Sequence, residues 1–328
     1  MFDQVSMMFK AQKMQVNKSP DIWTQEYVES PKCPFQAEKF NKMLDKDTAH
    51  DKWWNQCDVE TIVIPGGSGQ DMEVLVCKKK GSSAPERPLM VYTHGGGGIA
   101  GKAIHLGKVM ARLCVQSDWI VANVEWRLGP QTRCPDNHSD MVAAIKYFNE
   151  NAAKHGTAAG KISIGGDSGG AWPCAGACLL LGREDPALPK QLVRTCNLMY
   201  PMIGNALVEK AEVPPHLVFA QKMNREIFRQ FATDPNDLDA QKDDCLMYPN
   251  KASIEELKLW PGTILQTGEF DFLREETMVM IPKLKEAGVY LDHADYAECA
   301  HGEGSETMFK HYDRFWDDWQ AALKKWAE

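Results

Sequence analysis

No stretch of this 328-residue sequence stays apolar for the roughly 20 residues that a membrane-spanning helix requires, so a soluble protein is expected. The opening residues, Met1 to Met14, interleave Asp3, Gln4, Lys10, Gln12 and Lys13 with apolar positions. They lack the uninterrupted apolar core of a secretory signal, which points to a cytoplasmic location. Positive charge is also short: 37 Lys and Arg stand against 45 Asp and Glu, a formal charge of -8. No clustered basic stripe is present to meet a phosphate backbone, which argues against a nucleic-acid partner. The ten cysteines lack the short regular spacing of a disulfide scaffold or zinc ribbon. Cys174 and Cys178 would lie one helical turn apart, but no nearby His or second Cys pair completes a tetrahedral site. Buried thiols in a reducing cytosol, with no metal and no organic cofactor, are the expectation.

The length slightly exceeds what one core usually fills, so a catalytic domain with a smaller accessory layer is expected. Residues 1–58 are charged and helix-permissive, broken by Pro20, Pro31 and Pro34, and read as a helical arm. Glu60 to Pro65 and Met72 to Lys79 read as adjacent antiparallel strands across Gly-Gly-Ser-Gly. An alternation follows. Strands are expected at Leu89 to Thr93, Trp119 to Trp126, Lys161 to Gly165, Leu198 to Ile203, Thr263 to Thr267 and Tyr290 to Ala297. Helices are expected at Ile104 to Val115, Ser139 to His155, Gly169 to Leu181, Leu273 to Ala287 and Thr307 to Trp326. Such alternation implies an α/β architecture, a mostly parallel sheet with helices on both faces, drawn from residues 59–203 and 261–328. Between 204 and 260 the alternation lapses into charged, helix-like sequence, read as a helical cap insertion that packs with the N-terminal arm.

The chemistry begins at Gly166-Asp167-Ser168-Gly169-Gly170, a G-x-S-x-G pattern directly after a strand and before a helix. A serine on so tight a turn is thrust into the cleft above the sheet, and the crowded backbone demands small neighbours. The competing use of a glycine-rich strand-to-helix turn is to hold a phosphate. Upstream, His94 followed by Gly95 to Gly98 leaves an earlier strand, where consecutive glycines let two N–H groups converge on one oxygen. Gly96 to Lys102 also approaches the phosphate-binding G-x-x-x-x-G-K, yet position 103 is Ala where Ser or Thr would hold magnesium.

The acid and base must follow the serine in that order, each after a strand. His301 qualifies as the base, and Asp271 or Glu269 as the acid. His293, Asp292 and Asp295 fall in or at the end of the last strand and suit structural roles better.

Four blocks resemble the hormone-sensitive-lipase-like family of α/β-hydrolases, which includes arylacetamide deacetylases and plant carboxylesterases. His94 to Gly98 is similar to its H-G-G-G loop, and Val124 to Pro130 to its D-Y-R-L-A-P segment. Gly166 to Gly170 is similar to its G-D-S-A-G elbow, and Glu269 to Glu276 to its E-x-D-P-L-R-D-E acid loop. The resemblance implies the α/β-hydrolase fold, with Ser168 as nucleophile, Asp271 as acid and His301 as base. It also implies an oxyanion hole from Gly96, Gly97 and the Gly169 amide, under a cap made by the arm and the insertion. Three departures stand out: Gly169 replaces the usual alanine, Trp172-Pro173 sits where small or polar residues are preferred, and Glu303 replaces the common Phe. Trp172 and Glu303 are accordingly the expected substrate contacts. The expected partner is a small-molecule ester, with a homodimer left open. Alternatives are an amide, carbamate or lactone substrate, or a non-catalytic small-molecule receptor on the same fold.

Overall fold

A computed structural model describes residues 37–327 apart from 207, 213–217, 303 and 305–310. In chain order it runs α1 (Ala37–Leu44), α2 (Asp51–Trp54), β1 (Cys57–Pro65), β2 (Asp71–Lys79), β3 (Leu89–Thr93), α3 (Ala103–Ser117), β4 (Ile120–Val124), α4 (Asp136–Glu150) and α5 (Ala152–His155). It continues with β5 (Ile162–Asp167), α6 (Ala171–Glu184), α7 (Leu188–Leu192), β6 (Thr195–Met199), α8 (Val218–Phe231) and α9 (Ile254–Leu257). The last elements are β7 (Gly262–Gly268), α10 (Arg274–Ala287), β8 (Tyr290–Tyr296) and α11 (Tyr312–Trp326).

The eight strands form one sheet in the order β1-β2-β4-β3-β5-β6-β7-β8. β1, β2 and β4 pair antiparallel in turn, and every later neighbour is parallel. β3, β4 and β6 are buried along their whole length, because helices cover both faces of a parallel sheet. Alternation divides the side chains between two cores. Met90 and Tyr92 face Met110, Leu113, Phe315 and Trp316 of α3 and α11. Leu89 and Val91 face Met141, Phe148, Leu181 and Leu284 of α4, α6 and α10. No helix among the described residues is long and apolar enough to cross a membrane.

Three boundaries differ from the sequence reading for identifiable reasons. β6 ends at Met199 because Tyr200 takes φ 35°, a left-handed conformation that no strand continues through. The helix expected over 139–155 starts earlier, at Asp136, and breaks at Asn151 (φ -109°, ψ 21°) into α4 and α5. The closing helix begins at Tyr312, and the expected start at Thr307 lies outside the described residues.

The described part of the arm, α1 and α2, docks beside α3: Asn41 accepts from Gly101 N–H at 2.9 Å, and Asp45 pairs with His105 at 2.9 Å. The rest of the arm, residues 1–36, lies outside the described residues. In the 204–260 segment α8 runs over the glycine loop after β3. Phe231 of α8 fills the space beside Gly98, and Ile227 the space beside Gly97.

Candidate active site

The strand ends of β3, β5, β7 and β8 all open toward one edge of the sheet, the edge where α/β folds place their crevice. β5 ends at Asp167, and Ser168 follows with φ 51° on a single 3-10 turn before α6. A side chain rarely accepts that conformation, and surrounding packing must enforce it. Here it is enforced by contact: a Cβ on Gly170 would lie 2.1 Å from the Thr93 carbonyl oxygen, and one on Gly166 would lie 2.3 Å from the Gly170 carbonyl oxygen. Thr93 secures the turn by donating its hydroxyl to the Gly170 carbonyl at 2.6 Å.

The loop after β7 carries Asp271, and the loop after β8 carries His301. His301 Nε2 lies 2.8 Å from Ser168 Oγ, and Nδ1 lies 3.0 Å from each carboxylate oxygen of Asp271. Residues separated by 133 and 30 positions thus form one hydrogen-bonded line. Asp271 is buried and also accepts from Leu273 N–H at 2.8 Å. Glu269, the rival acid, turns away and accepts from Glu298 N–H at 2.8 Å. Asp295 is ion-paired with Arg274, and His293 lies in β8 with Nε2 2.8 Å from the Thr267 hydroxyl.

Burial alone would lower the His301 pKa, but the charge and hydrogen bond of Asp271, with Asp167 behind it, outweigh burial and hold it above the ordinary value. Asp167, the second residue of the G-x-S-x-G pattern, has a structural role that the motif does not specify. Its carboxylate accepts from Gly95 N–H at 2.9 Å and from the Tyr92 hydroxyl at 3.0 Å, tying the serine turn to the glycine loop. Burial pushes this carboxyl up to about 6, against the opposing pull of those two donors. Its place at the inner end of β5, one residue from Ser168, was the available signal.

Gly96, Gly97 and Gly98 take φ values of 115°, 60° and 67°, and the loop lies directly against residue 169. His94 beneath it is buried and donates Nδ1–H to the Gly95 carbonyl at 2.8 Å, while Trp126 Nε1–H donates to the His94 carbonyl at 3.2 Å. Burial lowers the His94 pKa to about 4, which keeps the ring neutral.

The two expected substrate contacts fare differently. Trp172 presents no surface: it is 0% exposed, its ring lies 4.6 Å from that of Phe231 and 4.3 Å from that of His138, and Nε1–H donates to the Met247 carbonyl at 2.9 Å. The indole is spent on anchoring the 204–260 segment to α6, so Trp172 supports the roof instead of lining the pocket. Glu303 lies outside the described residues.

Comparisons with known proteins give the family and the fold. The chain is 28% identical over 253 residues to versiconal hemiacetal acetate esterase of Dothistroma septosporum, covering 74% of each chain. It is 28% identical over 220 residues to carboxylesterase NlhH of Mycobacterium tuberculosis, covering 66% of each. Among solved structures, a hyperthermophilic esterase from Pyrobaculum calidifontis superposes with a TM-score of 0.77 at 23% identity, covering 97% of both chains. The family defined by the alpha/beta hydrolase fold matches residues 90–304, which span all four motif blocks and the Ser168-His301-Asp271 line, and the chain belongs to that family.

Proposed function

We propose that this protein is a carboxylesterase that cleaves small esters through an acyl-enzyme on Ser168. The observation that carries the proposal is the unbroken line from Ser168 Oγ through His301 to Asp271 at 2.8 and 3.0 Å, on a strained strand-to-helix turn. His301 Nε2 takes the Ser168 proton as Oγ attacks the ester carbonyl, and Asp271 stabilises the imidazolium that results. The N–H groups of Gly96, Gly97 and Gly169 are assigned to the developing oxyanion. Each such donor lowers the barrier by about 2.7–4 kcal/mol. The imidazolium then protonates the departing alcohol, and water attacks the acyl-enzyme with His301 again as base. A cytosolic setting goes with this reading, since the nine described cysteines are all buried thiols.

The test is hydrolysis of p-nitrophenyl esters from acetate upward, wild type against Ser168→Ala. Turnover of short esters that vanishes in the variant supports the reading, and the chain-length profile maps the acyl pocket. A folded wild type without Ser168-dependent turnover on any ester overturns it and directs the search to amides, carbamates, lactones or ligand binding without catalysis.

A further inference from the structure

The hydrogen bonds that hold His301, from Nδ1 to both carboxylate oxygens of Asp271 and from Nε2 to Ser168 Oγ, all act at the edge of the imidazole and leave its faces to be gripped by packing. Two aromatic rings from separate elements meet it. Phe272, in the loop after β7, has its ring centroid 4.8 Å from that of His301 at an interplanar angle of 41°. Tyr200, the left-handed residue that ends β6, lies 5.1 Å away at 75°. Tyr200 is buried and further held by a second ring, Phe315, at 6.0 Å. At position 272 the acid-loop motif that this segment resembles carries proline, which has no ring π-system.

We infer that Phe272 is a positioning residue for the base of this site: with Tyr200 it clamps the His301 imidazole against tilting and presents a π-system to the imidazolium formed when Ser168 loses its proton. The inference rests on the acyl-transfer reading for its kinetic consequence and on ring geometry alone for its electrostatic one. A cation within about 6 Å of an aromatic centroid is attracted by the ring quadrupole. Besides the Tyr200 phenol, the titratable groups facing His301 among the described residues are Asp271 after β7, Asp167 at the end of β5 and Ser168 itself. They are unchanged in a Phe272 variant, so a response can be assigned to the ring.

The experiment compares wild type, Phe272→Leu, which keeps much of the bulk without the π-system, and Phe272→Tyr, which keeps the ring. One readout is an NMR titration of the His301 imidazole, assigned by the signal lost in His301→Gln. The other is the pH dependence of kcat and KM on a short p-nitrophenyl ester. Phe272→Leu is expected to lower the His301 midpoint by about half a pH unit and kcat by roughly three- to tenfold with KM unchanged, and Phe272→Tyr to restore both. A Leu variant that titrates and turns over like wild type overturns the inference, as does a Tyr variant as impaired as Leu. If the wild type hydrolyses no ester, the carboxylesterase reading fails by itself, and the titration still decides the clamp.

Discussion

The family motif carries alanine where this chain carries Gly169, and the structure gives the substitution Gly169→Ala a definite sign. Nothing in the backbone requires glycine there, since Gly169 is not among the positive-φ residues. The constraint is space. A Cβ at 169 would lie 2.6 Å from Gly98 N and 2.8 Å from both C and Cα of Gly97, where ordinary contact begins at 3.4 Å. Loop and elbow must therefore separate by about 0.6–0.8 Å, and the loop cannot recoil freely because Ile227 and Phe231 roof Gly97 and Gly98. A donor set at about 2.9 Å from the oxyanion would retreat to about 3.6 Å, beyond useful hydrogen bonding. Loss of one donor costs about 10²–10³ in kcat, so restoring the family's alanine should lower kcat by about 10²-fold with little change in KM, because the lost bond forms mainly in the transition state. Overpacking would add a stability loss of about 1–3 kcal/mol. The assay is steady-state hydrolysis of p-nitrophenyl acetate, beside thermal melts of both proteins. A variant with kcat within threefold of wild type would show that the loop yields without moving its donors, and would refute the argument.

Other consequences are equally direct. Because the His301 pKa is held above its ordinary value, kcat/KM should fall as pH drops through a midpoint above 6.5, and a flat profile from pH 5 to 8 would contradict its role as base. Asp167→Asn removes a charge that raises the His301 pKa, so that limb should move to lower pH. The same substitution tests linkage. The folded pKa of Asp167 is raised, from 3.8 to about 6, so its ionisation opposes folding. The penalty is absent below 3.8, grows up to about 6, and is complete above that, reaching on the order of 3 kcal/mol. Denaturant melts should therefore show the Asn variant gaining on wild type across that window and no further, provided the amide oxygen still accepts from Gly95 and Tyr92. Glu276 is wholly buried and accepts from the N–H groups of Ile203 and Gly204 at 3.0 Å each, at the foot of the insertion. Glu276→Ala strands both donors and should cost about 2–5 kcal/mol in urea melts, whereas Glu276→Gln should stay within about 1 kcal/mol. Trp172→Phe leaves the buried Met247 carbonyl without its indole donor and should cost about 1–3 kcal/mol, with limited proteolysis cutting first within 204–260.

The sequence by itself determined the layout. Apolar runs bounded by glycine and proline located the strands, because a parallel sheet covered on both faces needs strands that are apolar throughout, as in β3 and β4. Ser168, Asp271 and His301 were legible for a related reason: each follows a strand end, and parallel strands deliver their ends to one edge. What the tertiary structure decided was everything that depends on distance across the chain. Glu269 and Asp271 lie two residues apart in one loop, and only the fold turns Asp271 to His301 and Glu269 to the Glu298 amide. Trp172 is an expected substrate contact by sequence, yet packing sends its indole toward the Met247 carbonyl, 75 residues away. The carboxylate of Asp167 beneath Gly95, and the rings of Tyr200 and Phe272 on His301, left no periodic trace. Hydrophobic patterning records which face of an element is buried, not which group from a distant segment meets it there.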